Sequence, residues 1–213
     1  MSKIKTVGIV GTGVIGTGWI IRNLAHNKIV HAYDQNKNLK NYVLKEIKRT
    51  SKSIKKLFGK KILIKNLKFF NSLEKALSNV DFVQESVLEN YKVKTDLIQK
   101  ISKYVKSNVI ISSSSSGLLP SKIFSKSKNP QRGIIGHPFN PAYLLPAVEI
   151  VPGKKTTRKF LLDANKYYKS ISMKPIILKK ELPGYLSDRL QEALWREGLH
   201  IINENYATTQ ELD

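Results

Sequence analysis

Gly11, Gly13 and Gly16, in the segment Val7-Gly8-Ile9-Val10-Gly11-Thr12-Gly13-Val14-Ile15-Gly16, constrain this 213-residue chain more than any other feature. The apolar run ending at Val10 reads as a buried strand and the stretch after Gly16 as a helix, so G-x-G-x-x-G spans a strand-to-helix turn. There Gly11 permits the tight bend, Gly13 lets a pyrophosphate approach the backbone, and Gly16 lets the helix pack close on the strand. Val14 and Ile15 open the helix, whose free N–H groups and partial positive charge suit a phosphate. Asp34 ends the next apolar run, roughly 20 residues on, where a carboxylate accepts the adenosine ribose hydroxyls. A 2′-phosphate would meet like charge at Asp34, so NAD is expected over NADP, a preference that Lys37 and Lys40 soften.

The rhythm of that opening continues. Short apolar runs at 6–10, 29–33, 67–70, 82–84, 109–112 and 133–135 alternate with longer polar stretches of helical period, as βαβ units do. The lysine-rich stretch 37–61 returns an apolar residue every three or four positions and predicts a helix, bent or broken before Gly59. Strands at 147–151 and 175–178 flank a further helix over 156–169. Pro183 and Gly184 then mark a break before an amphipathic helix over 185–203, and 208–213 reads as the cap and first turn of another. The expected fold class is α/β: a Rossmann-type, doubly wound, mostly parallel sheet over 1–182, followed at 183–213 by the start of a helical C-terminal domain.

Composition excludes several chemistries. With no cysteine there is no disulfide, thiolate nucleophile or cysteine-ligated metal, and the four histidines show no paired ligand spacing, so no metal is expected and redox chemistry falls to a bound cofactor. The formal charge of +21 suggests an anionic partner. Its lysines are scattered, only 6 of 37 basic residues are arginine, and no nucleic-acid motif accompanies them. The charge therefore reads as solvated surface, with no nucleic-acid partner, that still draws in anionic cofactors and substrates. No apolar stretch predicts a membrane span. Lys3 and Lys5 imitate a secretory leader, but the glycines that follow suit a phosphate turn better, and a cytoplasmic location is expected.

A second constellation lies where the sixth strand ends. Gly136-His137-Pro138-Phe139-Asn140-Pro141 places His137 at the edge where open α/β sheets bind ligands. Glu149, in the apolar strand Ala147-Val148-Glu149-Ile150-Val151, needs a partner if buried, and His137 is the natural one. Such a pair fixes the imidazole tautomer and lets it take a hydroxyl proton while hydride leaves the same carbon for NAD. Ser116, after the fifth strand, is placed to hydrogen-bond the same oxygen. The alternative, a histidine between prolines and a glutamate facing water, gives way because the cofactor motif lies so near.

These motifs together resemble the short-chain L-3-hydroxyacyl-CoA dehydrogenases and their relatives acting on small 3-hydroxy acids. The resemblance covers essentially the whole chain, through Gly11 to Gly16, ESVLENYKVK (85–94), SSSSSGL (112–118), His137 to Glu149 and PGYLSDR (183–189). It implies that Ser116, His137 and Glu149 are catalytic, that Glu89 and Lys94 lie along the nicotinamide end of the cofactor, and that Asn140 lines the substrate site. GHPFNPAYLLPAVEIVPG and DRLQEALWREGLHIINENYATTQELD are most similar to members acting on L-carnitine, with gulonate and hydroxybutyryl-CoA members as alternatives. Acyl-CoA members carry asparagine where this chain has Asp188. A carboxylate there suits a cationic 3-hydroxy acid, with Phe139, Tyr143 or Trp195 offering a face to a trimethylammonium group; equally, Asp188 could cap its helix or pair with Arg189. Family members continue into a longer helical domain that pairs subunits and closes the cleft. The resemblance thus implies a homodimer or a complementing C-terminal chain, or else a truncated module that binds NAD without turnover.

Overall fold

A computed structural model describes residues 4–59 and 61–213, so Lys3 of the leader-like start and Lys60 of the expected second helix lie outside the described residues. The glycine turn separates β1 (Thr6–Val10) from α1 (Val14–Ala25), and β2 (Ile29–Tyr33) returns beside β1. The chain continues through α2 (Leu39–Phe58), β3 (Leu67–Phe70), α3 (Leu73–Leu77), β4 (Phe82–Glu85), α4 (Tyr91–Tyr104), β5 (Ile110–Ser113) and α5 (Pro120–Ile123). There follow β6 (Gly133–Pro138), β7 (Ala147–Pro152), α6 (Arg158–Ser170), β8 (Lys174–Ile177), α7 (Ser187–Asn203) and α8 (Thr209–Leu212).

The eight strands form one sheet in the order β3-β2-β1-β4-β5-β6-β7-β8. From β1 to β6 all neighbours are parallel; β7 runs antiparallel to β6, and β8 parallel to β7. The strand order reverses between β1 and β4, and an open sheet holds its ligand in the crevice at the carboxyl ends on either side of such a reversal. Strand residues alternate between two cores. Val7, Ile9, Phe82, Ile110 and Ile134 pack with α1, α2 and α6, whereas Val10, Val83, Ile111 and Ile135 pack with α3, α4 and α5. Each such fully buried apolar side chain contributes about 1.5–3 kcal/mol, and both faces of β4 and β5 are buried along their whole length.

Several expected boundaries shift by a residue or two, and three of the changes have a clear local reason. α2 is unbroken and simply stops at Gly59, whose φ of 66° caps the helix with its N–H on the Lys55 carbonyl. β6 extends through His137 to Pro138 because antiparallel β7 pairs with it across that region, placing His137 directly opposite Glu149. α7 starts at Ser187 rather than 185, since Gly184 (φ 71°) and Tyr185 (φ 46°) form a left-handed turn that buries the Tyr185 ring and swings the helix back over the sheet edge. Thr208 caps α8 as expected, through a reciprocal capping box with Glu211. Among the described residues no helix is long and apolar enough to cross a membrane.

Candidate active site

The carboxyl ends of β1, β4, β5 and β6 and the first turns of α7 enclose a cleft of about 640 Å³. Ile15 comes from the glycine turn, Ser86, Val87 and Glu89 from the end of β4, Ser114 and Ser116 from β5, His137 to Asn140 from β6, and Asp188 from α7. Of the expected site residues, Ile15, Glu89, Ser116, His137, Asn140 and Asp188 therefore meet in one lining.

The glycine turn fits a dinucleotide. Gly11 holds a φ of 88°, and a Cβ there would lie 2.6 Å from the Ser86 carbonyl. A Cβ on Gly13 would meet nothing within 4 Å, so space is open where a phosphate would approach the backbone. No side chain caps the start of α1, which leaves its first N–H groups available, and Val14 stands exposed beside them. Asp34 has a second task that its sequence position did not reveal. Its Oδ2 accepts the Thr12 N–H (2.6 Å) and hydroxyl (3.2 Å), and its Oδ1 accepts the Asn36 N–H (2.9 Å). Three of about four acceptor positions are thus taken by its own chain, leaving room for one strong ribose hydrogen bond rather than two.

Lys94 departs most from expectation. Its side chain is 1% exposed and its ammonium donates to Glu85 Oε1 (2.8 Å) and the Val87 carbonyl (3.1 Å), with Glu89 Oε2 at 3.5 Å. It lies beneath the cleft rather than along it, because a lysine one turn into α4 meets the buried Glu85 before it can reach solvent. Glu89 does line the cleft, and its Oε1 accepts the Ser115 hydroxyl and the Ser116 (3.0 Å) and Gly117 (3.3 Å) N–H groups. Burial raises its pKa, but those hydrogen bonds and Lys94 outweigh burial and hold the carboxyl below its ordinary value.

The histidine and the glutamate do meet: His137 Nδ1 lies 2.9 Å from Glu149 Oε2. The Glu149 side chain is 1% exposed and accepts three more hydrogen bonds, from the Leu186 N–H (2.9 Å), the Ser187 N–H (3.1 Å) and the Ser187 hydroxyl (2.5 Å). Burial pushes its pKa up, yet His137, Ser187 and the Leu186 amide together bring it below the ordinary carboxylate value. A carboxylate so held requires Nδ1 to carry a proton, which leaves Nε2 as the basic nitrogen. Ser187 is a functional residue that sequence reasoning missed. Its only signal was a serine just after the Pro183-Gly184 break, and its partner is remote in sequence.

Ser116 and Asn140 line the same cleft as His137, and Asp188 stands in the first turn of α7 beside them. The amides at that helix start are taken by Glu149, so Asp188 is not needed as their cap. Of the aromatic candidates only Phe139 lines the cleft. Tyr143 instead packs against the core, and Trp195 is 65% exposed on α7.

Residues 6–182 match the family described as 3-hydroxyacyl-CoA dehydrogenase, NAD binding domain. The chain belongs to the 3-hydroxyacyl-CoA dehydrogenase family. It is an NAD-dependent oxidoreductase of that family, with NAD as its cofactor. It is 43% identical to an L-carnitine dehydrogenase of Oceanobacillus iheyensis over 99% of this chain and 69% of the relative. With an L-carnitine dehydrogenase of Pseudomonas putida it shares 42% identity, over 100% of this chain and 67% of the relative. Among solved structures, (S)-3-hydroxybutyryl-CoA dehydrogenase PaaH1 from Ralstonia eutropha superposes with a TM-score of 0.88 at 26% identity, covering 99% of this chain and 76% of that one. The 3-hydroxybutyryl-CoA dehydrogenase of Escherichia coli K12 shares the fold with a TM-score of 0.89 at 23% identity, over 96% of this chain and 44% of that one.

Proposed function

We propose that this dehydrogenase oxidises the 3-hydroxyl of L-carnitine to the 3-ketone. NAD, when bound, supplies the hydride acceptor for the carbinol carbon. His137 Nε2 takes the hydroxyl proton, and Glu149 holds the ring in that tautomer and stabilises the imidazolium that results. Ser116 hydrogen-bonds the reacting oxygen and Asn140 helps orient the substrate. Glu89 lies at the nicotinamide end, with Lys94 acting through it as a positioning residue.

One observation carries the choice of substrate. Among the described residues no lysine or arginine contributes to the lining of the cleft, in a chain that carries 37 of them, whereas the carboxylates Glu89 and Asp188 do. Such a lining favours a cationic alcohol over one bearing several phosphates, and Phe139 adds an aromatic face for a quaternary ammonium. The names of the two bacterial relatives agree with this.

The test is NADH formation by the purified chain with L-carnitine, L-gulonate and 3-hydroxybutyryl-CoA side by side. L-Carnitine is expected to give the highest kcat/KM, and Asp188→Asn to raise its KM. A higher kcat/KM with the acyl-CoA would refute the assignment. Residues 1–182 form the NAD-binding domain in this reading and 183–213 the start of a second, helical one, in a cytoplasmic enzyme. Leu190, Leu194 and Trp195 stand 71%, 76% and 65% exposed along α7, which supports a second copy or a complementing C-terminal chain covering that face.

A further inference from the structure

We propose that Ser86 donates a hydrogen bond to the nicotinamide half of NAD, its proton aimed into the cleft by a one-way chain of hydrogen bonds that starts in the core. The inference rests on NAD binding and is independent of which alcohol is oxidised.

The direction of that chain follows from counting donors and lone pairs. The Gly136 carbonyl can only accept, so the Gln84 atom 3.3 Å from it is the amide nitrogen, and the opposite atom is the carbonyl oxygen. That oxygen accepts the Tyr168 hydroxyl at 2.7 Å. Tyr168 has then spent its only proton, so at 2.8 Å Ser112 must donate to it. Tyr168 is fully buried, which raises its pKa and keeps the phenol protonated. Onward, Gln84 Nε2 donates to Ser114 Oγ at 2.7 Å, and the indole N–H of Trp19, a group that can only donate, reaches the same oxygen at 3.1 Å. Both lone pairs of Ser114 are thereby filled. Its own proton has one recipient, Ser86 Oγ at 2.8 Å, because a hydrogen donated the other way would be a third on one oxygen. The order is Ser112 to Tyr168 to Gln84 to Ser114 to Ser86, and the Ser86 proton is left for the cleft that Ser86 lines.

The place of Ser86 identifies the acceptor. Asp34 follows β2, the glycine turn follows β1, and Ser86 follows β4, the strand on the other side of the reversal. Ser86 is fixed against the turn by its N–H on the Val10 carbonyl at 2.7 Å. A dinucleotide with adenosine at β2 and pyrophosphate on the turn brings its second nucleoside to β4. That nucleoside offers acceptor oxygens on its ribose and carboxamide, the chemistry a preset O–H donor recognises.

NADH binding, followed by its fluorescence, and displacement of NADH by ADP test this without turnover. Ser86→Ala is expected to weaken NADH about fivefold and leave ADP within about twofold, the effect of one neutral hydrogen bond confined to the nicotinamide half. Equal weakening of both ligands, or no change in NADH, would overturn the assignment. Gln84→Glu keeps the Ser86 hydroxyl but removes one hydrogen donated to Ser114, so NADH should again weaken while ADP does not. Unchanged NADH affinity in that variant would overturn the relay. Should Gln84→Glu fail to fold, Trp19→Phe removes the other donated hydrogen and is judged by the same outcomes.

Discussion

Exchange of Glu149 for glutamine should invert the histidine tautomer while changing no atom's position greatly. Oε1 accepts two backbone N–H groups, from Leu186 and Ser187, and neither can reverse its role. The glutamine carbonyl must therefore occupy the Oε1 position, and its NH₂ must take the place of Oε2, facing His137 Nδ1 and the Ser187 hydroxyl. Ser187 can rotate to accept. His137 can accept only by giving up its Nδ1 proton and carrying it on Nε2, where it blocks the base. Holding the productive tautomer would instead oppose two donors in a buried site, at about 1–3 kcal/mol. Loss of the anion beside the imidazolium removes up to about 4 kcal/mol more at an effective dielectric of 20. At 1.36 kcal/mol per decade these reach 10⁴-fold or more, in line with the roughly 10⁴-fold loss seen when a triad carboxylate becomes an amide. Two assays check this: kcat for NADH formation, and ¹⁵N NMR of the His137 ring, which reads the tautomer directly. A variant that retains Nδ1–H, or whose kcat falls less than about tenfold, would refute the reasoning.

Three further outcomes are expected. Gly13→Ala should melt like wild type, since its Cβ meets nothing within 4 Å, yet lose NADH affinity; Gly16→Ala should lower the melting temperature sharply, because its Cβ would lie 1.8 Å from the Gly11 carbonyl. Asp34→Ala should weaken NADH more than NADPH in binding titrations, and also lower thermal stability through the freed Thr12 amide; equal loss of both nucleotides would contradict the ribose contact. Glu89 and Glu149 have folded pKa values below the ordinary 4.5, so their contribution to stability is complete above that value and lost as pH falls through their folded pKa values. Urea unfolding at graded acid pH should show that decline in wild type and a shallower one in Glu149→Gln.

The glycine turn, Asp34 and the strand-helix alternation were legible because their signals are local. A bend that only glycine tolerates and a short apolar run depend on neighbours within a few residues. Partner identity was not legible in the same way. Lys94 belonged to the expected cofactor contacts but is spent on Glu85, a choice made by burial on α4. Ser187 gave no sign of holding Glu149, since the contact spans 38 residues and requires the left-handed turn at Gly184 and Tyr185 to return α7 to the sheet.

By itself the amino-acid order determined a phosphate turn, an acid after β2, and a histidine and glutamate on adjoining apolar strands. Only the tertiary structure decided that those two strands are antiparallel neighbours in a register that sets His137 opposite Glu149. It likewise decided that the lysines and arginines among the described residues stay out of the cleft lining, and that Tyr168 spends its proton on Gln84. The physical reason is range. Backbone bends and hydrophobic periods are set by adjacent residues, whereas charge pairing and hydrogen-bond polarity depend on groups that meet only when the sheet has closed around them.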